Sequence, residues 1–146
     1  MKNKLIVNTL LVFLISANLF SQEIKEDDPD YKPRNLQEAI SQLDIIFPDS
    51  TKEQIITMSE DEFVIDTHFS TGLWIRNEWL YDRVLGYSIG DSDLREELLE
   101  MGVPSNDDMS GLILRSYYRH LTNQDLNIDQ QIIEIQRFYI EREKIN

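Results

Sequence analysis

Two short segments hold most of the side chains whose chemistry could do work. In HFSTGLWIRNEW, residues 68–79, a histidine, an arginine and two tryptophans stand close together. In NDDMS, residues 106–110, Asp107 and Asp108 are adjacent. A histidine beside a carboxylate is the smallest unit of general acid–base catalysis. Arg76 offers a planar fork that takes a carboxylate or another anion by two hydrogen bonds. Adjacent acids meet the positive end of a helix dipole, and one of them can cap the helix.

Each residue also has a plainer use. Arg76 can tie two helices by an internal ion pair or run its stem along the core edge. His68 and the second histidine, His120, can be core histidines with one nitrogen hydrogen-bonded. The sequence has no HExxH, no His-x-His, no glycine-rich phosphate loop, no nucleophile elbow and no cysteine. No metal site, cofactor or catalytic residue is therefore expected.

The elements that would position these residues read as helices. Asn35 can cap a helix with Leu36, Ala39, Ile40, Leu43 and Ile46 at helical spacing, ended by Pro48. Ser50 opens a short helix, and Ser59-x-x-Glu62 has the form of a capping box. Placed on one helix at roughly 100° per residue, residues 63–83 put Ile65, His68, Phe69, Gly72, Leu73, Ile75, Arg76, Trp79 and Leu80 in one arc. Arg76 then lies inward among apolar residues. Trp74 lies outside the arc and is a candidate surface anchor, since exposed tryptophans are enriched at interfaces.

Further along, Ser92 caps a helix that Gly102 ends, and VPSND is a turn after which Asp107 can cap DMSGLILRSYYRHL. That helix carries Met109, Ile113, Tyr117, Leu121 and His120 on its inner face. Asn123 stops it, and Asn127 or Asp129 starts the last helix. No run alternates with period two between turn signals. The expected fold is all-α: one domain over residues 35–143, of five or six short helices.

Composition narrows the function. The chain has 146 residues and carries 27 acidic against 14 basic side chains, a net charge of −13. Such a surface repels phosphate backbones, which disfavours nucleic acid and favours a partner protein with a basic surface. Residues 1–21 read as an export signal: MKNK is basic, LIVNTLLVFLISANLF is apolar, and a polar acidic stretch follows. The apolar run is shorter than the roughly 20 residues that span a bilayer, so no membrane span is expected after cleavage. Residues 22–34 read as a flexible acidic leader, and the mature chain as periplasmic or secreted. Loss of Lys2 and Lys4 with the signal takes the net charge from −13 to −15.

The two opening segments together resemble a family of small bacterial domains of unknown function. Its members carry His-(x)3-Gly-x-x-Ile-Arg-Asn-x-Trp and later Pro-Asp-Asp-Met-Ser. His68, Gly72, Ile75, Arg76, Asn77 and Trp79 match the first pattern, and Asp107, Asp108, Met109 and Ser110 the second. Asn106 replaces the proline, and LYDRVLGYSIGDSD departs after Trp79. The resemblance covers roughly residues 35–133 and implies no activity.

The candidate binding or structural cluster is thus His68, Arg76, Asn77, Trp79, Asp107 and Asp108, with Arg76 facing Asp107 or Asp108. The leading expectation is an exported, non-catalytic helical binding or interaction domain. A small hydrolase-like enzyme using His68 with Asp107 or Asp108 is one alternative, and an immunity-type protein that neutralises a basic toxin is another. The intact mass of the exported form should lack Met1–Ser21; retention of that segment in a membrane fraction refutes the signal.

Overall fold

The elements form where short-range signals allow and are then sorted by burial. In the computed structural model, which describes residues 31–144, the order is α1 (Leu36–Ile46), α2 (Asp49–Ile55), α3 (Glu60–Thr67) and α4 (Thr71–Glu78), then strands β1 (Tyr81–Val84) and β2 (Tyr87–Asp91), and finally α5 (Asp93–Glu100), α6 (Asn106–Leu121) and α7 (Ile128–Glu143). Residues 1–21 and most of the expected leader lie outside the described residues. Contacts with the helical domain are already made ahead of Asn35: Pro33 is buried, and Lys32 Nζ donates to the Tyr81 carbonyl at 3.0 Å. Among the described residues no helix is long and apolar enough to cross a membrane.

Capping follows the local sequence closely. The Asn35 side chain accepts from the Glu38 N–H, Ser59 and Glu62 form a reciprocal capping box, and Ser92 accepts from the Arg95 N–H. Gly102, at φ +92°, and Asn123, at φ +54°, turn the chain after α5 and α6. Three local expectations need correction. Helix α6 is capped by Ser105, whose hydroxyl accepts from the Asp108 N–H, so Asp107 is free of that duty. Helix α2 starts at Asp49 behind Pro48, and Ser50 lies inside it. His120 is exposed rather than inward.

The largest correction concerns residues 63–83. They form two helices and the start of a strand. Thr67 folds its hydroxyl back onto the Phe63 carbonyl at 2.6 Å, and Ser70 leaves helical geometry at φ −112°, ψ −93°. The break keeps Gly72, Ile75, Trp79 and Leu80 buried but turns Ile65, Leu73 and Phe69 outward, Phe69 being 82% exposed.

The fold is therefore mostly helical, with one small sheet. Strands β1 and β2 pair antiparallel, with Tyr81 opposite Asp91 and Val84 opposite Tyr87, and the register shifts between Asp82 and Arg83. Leu85 and Gly86, both at positive φ, make the two-residue turn. The hairpin escapes a search for alternation because almost all of its residues are exposed, so neither face selects apolar side chains. Its base is fastened instead by polar contacts. Ser92 Oγ donates to the Trp79 carbonyl at 2.6 Å, Arg95 pairs with Asp91, and Arg95 Nε donates to Asn106 Oδ1 at 3.1 Å. Asn106 Nδ2 then donates to Tyr81 Oη at 2.7 Å.

Helix α6 is the centre of the core. It packs on α1, α3, α4 and α7, and Met109, Leu112, Ile113, Leu114 and Tyr117 are all buried along it. Leu36, Ile40 and Leu43 of α1, Phe63 of α3, Ile75 of α4, Trp79 just after it, Leu94 and Leu98 of α5 and Ile132 of α7 are among those that join it in the cluster. Burying each such large side chain contributes about 1.5–3 kcal/mol relative to exposure.

Candidate functional site

The two segments that opened the sequence meet where α4 crosses the start of α6. The side chain of Arg76 is 12% exposed, and three of its nitrogens have partners: Nε lies 3.2 Å from Asp107 Oδ1, Nη1 donates to Ser110 Oγ at 2.8 Å, and Nη2 donates to the His68 carbonyl at 3.1 Å. Ser110, fully buried, donates its own hydroxyl hydrogen bond to the Asp107 carbonyl at 3.0 Å. Gly72 makes the room. A Cβ there would stand 3.2 Å from Arg76 Nη1, 3.3 Å from the Thr67 carbonyl and 3.4 Å from Leu114 Cδ1.

Asp107 and Asp108 divide their work. Asp107 takes Arg76 while its side chain stays 69% exposed. Asp108 Oδ2 accepts from Ser105 Oγ at 2.5 Å and from Tyr139 Oη at 2.6 Å, linking the start of α6 to α7. The hydrogen bond to Asp108 holds the Tyr139 phenol above its ordinary range. The break after α3 brings His68 near the same acid, its Nε2 4.0 Å from Asp107 Oδ1 and so beyond hydrogen-bonding reach.

The other sequence candidates lie apart from this knot. Trp79 is buried core, and Asn77 is exposed. Trp74 is 39% exposed and stands edge-on to Trp79, with ring centroids 4.9 Å apart. It borders a small apolar dent with Ile46 and Phe47. Among the described residues no three histidine, aspartate or glutamate side chains gather as a metal set.

Sequence reasoning missed a second charged system. Glu60, in the first turn of α3, receives Arg115 Nη1 at 2.8 Å, Arg119 Nε at 2.7 Å and Arg119 Nη2 at 3.0 Å. Arg115 Nη1 also reaches Asp61 Oδ1 at 3.1 Å, and Arg119 Nη1 donates to the Leu126 carbonyl at 2.9 Å. The one available signal was the four-residue spacing of Arg115 and Arg119, which puts both on one helix face. Hydrogen bonding from Arg119, helped by Arg115 and opposed by burial, holds the Glu60 carboxyl below its usual range.

Between α3, α6 and α7 these two systems flank an open groove of about 870 Å³. Its sides carry Glu60, Asp61 and His68 from α3 and its end, Asp107, Asp108, Arg115 and Arg119 from α6, and Glu134 from α7. Val64, Leu112, Ile135 and Phe138 supply apolar surface. Gly111 lies in the floor, and a Cβ added there would meet nothing within 4 Å. Gln131, 3% exposed, also lines the groove. Its Nε2 is committed to the Leu126 carbonyl at 2.8 Å and to Ser116 Oγ at 3.3 Å, which leaves Oε1 without a partner.

A helical domain with an acidic, partly apolar groove is the class this geometry defines. The chain belongs to the family described as "Domain of unknown function (DUF6794)", which matches residues 32–121. That span ends with α6, so α7 and its side of the groove lie beyond it. No curated protein and no solved structure matches the chain.

The Arg76 knot should respond asymmetrically to mutation, measured as urea midpoints. Arg76→Ala strands the buried Ser110 hydroxyl and the His68 carbonyl, and should cost about 2–3 kcal/mol. Asp107→Ala removes only an exposed acid and should cost about 0–1 kcal/mol. Equal losses would show that the ion pair alone carries the energy. For Glu60, a carboxyl whose folded pKa is depressed contributes stability that is present above its unfolded value of 4.5 and is lost as pH falls through the folded value. Glu60→Gln should cost about 1–2 kcal/mol at pH 7, and its gap from wild type should close on acidification below about pH 4.5. A gap that persists unchanged at pH 3 would refute the pairing.

Proposed function

We propose that the mature chain is an exported, non-catalytic binding domain and that the groove between α3, α6 and α7 takes its ligand. The observation that carries this reading is Gly111. A glycine inside a helix costs about 0.5–1 kcal/mol relative to alanine, and packing does not call for one here because the space above it is open. Its lack of a side chain keeps the groove floor low, as an approaching ligand would need.

The local chemistry favours binding over catalysis. His68 is not hydrogen-bonded to Asp107, Asp108 is occupied by Ser105 and Tyr139, and the Ser110 hydroxyl is buried beneath Arg76. A base, its orienting acid and a nucleophile are not aligned as acyl or phosphoryl chemistry requires. The acidic balance and the reading of residues 1–21 as an export signal support a partner met outside the cytoplasm.

Two substitutions at one position test the reading. Gly111→Ala should raise stability by about 0.5–1 kcal/mol. Gly111→Phe should fill the groove, leave the helical circular-dichroism signal in place, and abolish capture of any partner that the wild-type mature chain draws from an envelope extract. An unchanged set of captured proteins, or a Gly111→Ala variant less stable than wild type, would overturn the assignment.

A further inference from the structure

Resting on the groove being a binding site, we propose that its occupant is a basic segment of a partner protein, an arginine or lysine side chain flanked by apolar residues. The groove lining carries five carboxylates, Glu60, Asp61, Asp107, Asp108 and Glu134, against two guanidiniums, Arg115 and Arg119. Both guanidiniums are already held by Glu60 and Asp61, so neither is offered to an incoming anion. Asp107 spends Oδ1 on Arg76 and keeps an exposed side chain, and Glu134 is exposed on the facing helix. The sign of the groove is therefore set by its rim acids.

The second observation is independent of charge. Gln131 Oε1 is an acceptor with no donor, on a side chain almost wholly buried in the groove wall. Leaving a buried acceptor unpaired is costly, and the amide cannot rotate to correct it, because Nε2 is held by the Leu126 carbonyl. What the wall lacks is a hydrogen-bond donor. Guanidinium and ammonium groups carry donors and no acceptor, so they meet the carboxylates and the orphan oxygen together. The oxygen is screened from solvent, so a donor must part the groove lining to reach it. That ties the contact to an ordered ligand.

The apolar surface argues for a protein segment over a small amine. Val64, Leu112, Ile135 and the half-exposed Phe138 lie beside the acids and would receive the residues flanking the cation.

The test titrates the mature chain with three blocked heptapeptides of alternating leucine and arginine, leucine and glutamate, or leucine and glutamine, and with ethylguanidinium. Calorimetry and amide chemical shifts supply the readouts. The arginine peptide should bind, with shifts centred on Gly111 and Gln131, and should weaken at least about tenfold between 50 and 500 mM salt. Glu134→Gln, on the exposed rim, should weaken it about threefold to fivefold. Gly111→Phe should abolish binding, and Gln131→Met should weaken it even where it also lowers stability. A glutamate or glutamine peptide that binds as tightly, and is blocked by Gly111→Phe, overturns the basic-segment assignment while leaving the groove as a binding site. Arginine-peptide binding that ignores Gly111→Phe reports only the diffuse acidic surface and overturns the proposal. Ethylguanidinium bound as tightly as the peptide, or no binding of the arginine peptide, also overturns it.

Discussion

Nearly everything in this fold depends on the burial of α6 on most of its circumference. A helix wrapped by α1, α3, α4 and α7 does not keep a simple apolar stripe, and polar residues also fall inside. Ser110 and Ser116 are fully buried on it, and each must find a partner. Ser110 finds Arg76 and the Asp107 carbonyl; Ser116 finds Gln131. The neighbouring helices are thus held by hydrophobic burial and registered by hydrogen bonds to small polar groups. Hydrophobic contact alone is non-directional and would leave α4 and α7 free to slide.

The two arginine systems act at opposite ends of the contact between α6 and the α3–α4 pair. Arg76 belongs to α4 and reaches the first turn of α6, while Arg115 and Arg119 belong to α6 and reach the first turn of α3. In the second system the acid lies at a helix N-terminus, where the dipole already favours negative charge. The arrangement also explains the break at residues 68–70. One continuous helix could not present Glu60 to the C-terminal half of α6 and Arg76 to its N-terminal half with both side chains on the same partner. The chain bends there, and the His68 carbonyl at the bend becomes a ligand of Arg76.

Features governed by neighbours in sequence were the legible ones. Asn35, Ser59, Ser92, Gly102 and Asn123 mark helix ends through contacts spanning a few residues, and the helical period found most of the core. Arg76 was identifiable as a buried charge that needed a partner, because its phase holds from Gly72 to Trp79 even though the helix does not extend upstream. The failures were of two kinds. Residues 81–91 form a hairpin whose exposed faces carry no alternation, and its turn places Leu85 at a position where asparagine or glycine is the usual signal. The Glu60–Arg119 pair spans 59 residues, and no local rule links such positions. The groove belongs to this second kind, since it exists only once three helices are assembled.

The position of α7 bears on how the groove came to hold its particular chemistry. The family match ends with α6, and it includes the clamp of Glu60, Arg115 and Arg119 and the knot of Arg76, Asp107 and Ser110. Those contacts register α3, α4 and α6 among themselves. Helix α7 is joined to that frame by fewer contacts: Tyr139 to Asp108, Gln131 to Ser116 and the Leu126 carbonyl, and Gln136 to the Gly102 carbonyl at 3.2 Å. It nevertheless brings Gln131, Glu134, Ile135 and Phe138 to the groove. Rigid parts are suited to holding a site's shape, whereas the residues of α7 that face the groove, unlike its core residue Ile132, can be altered in sequence without disturbing the core. The division separates the two tasks physically. The matched helices set the groove floor and all of its charged groups but Glu134, and α7 sets what the opposite wall offers to a ligand.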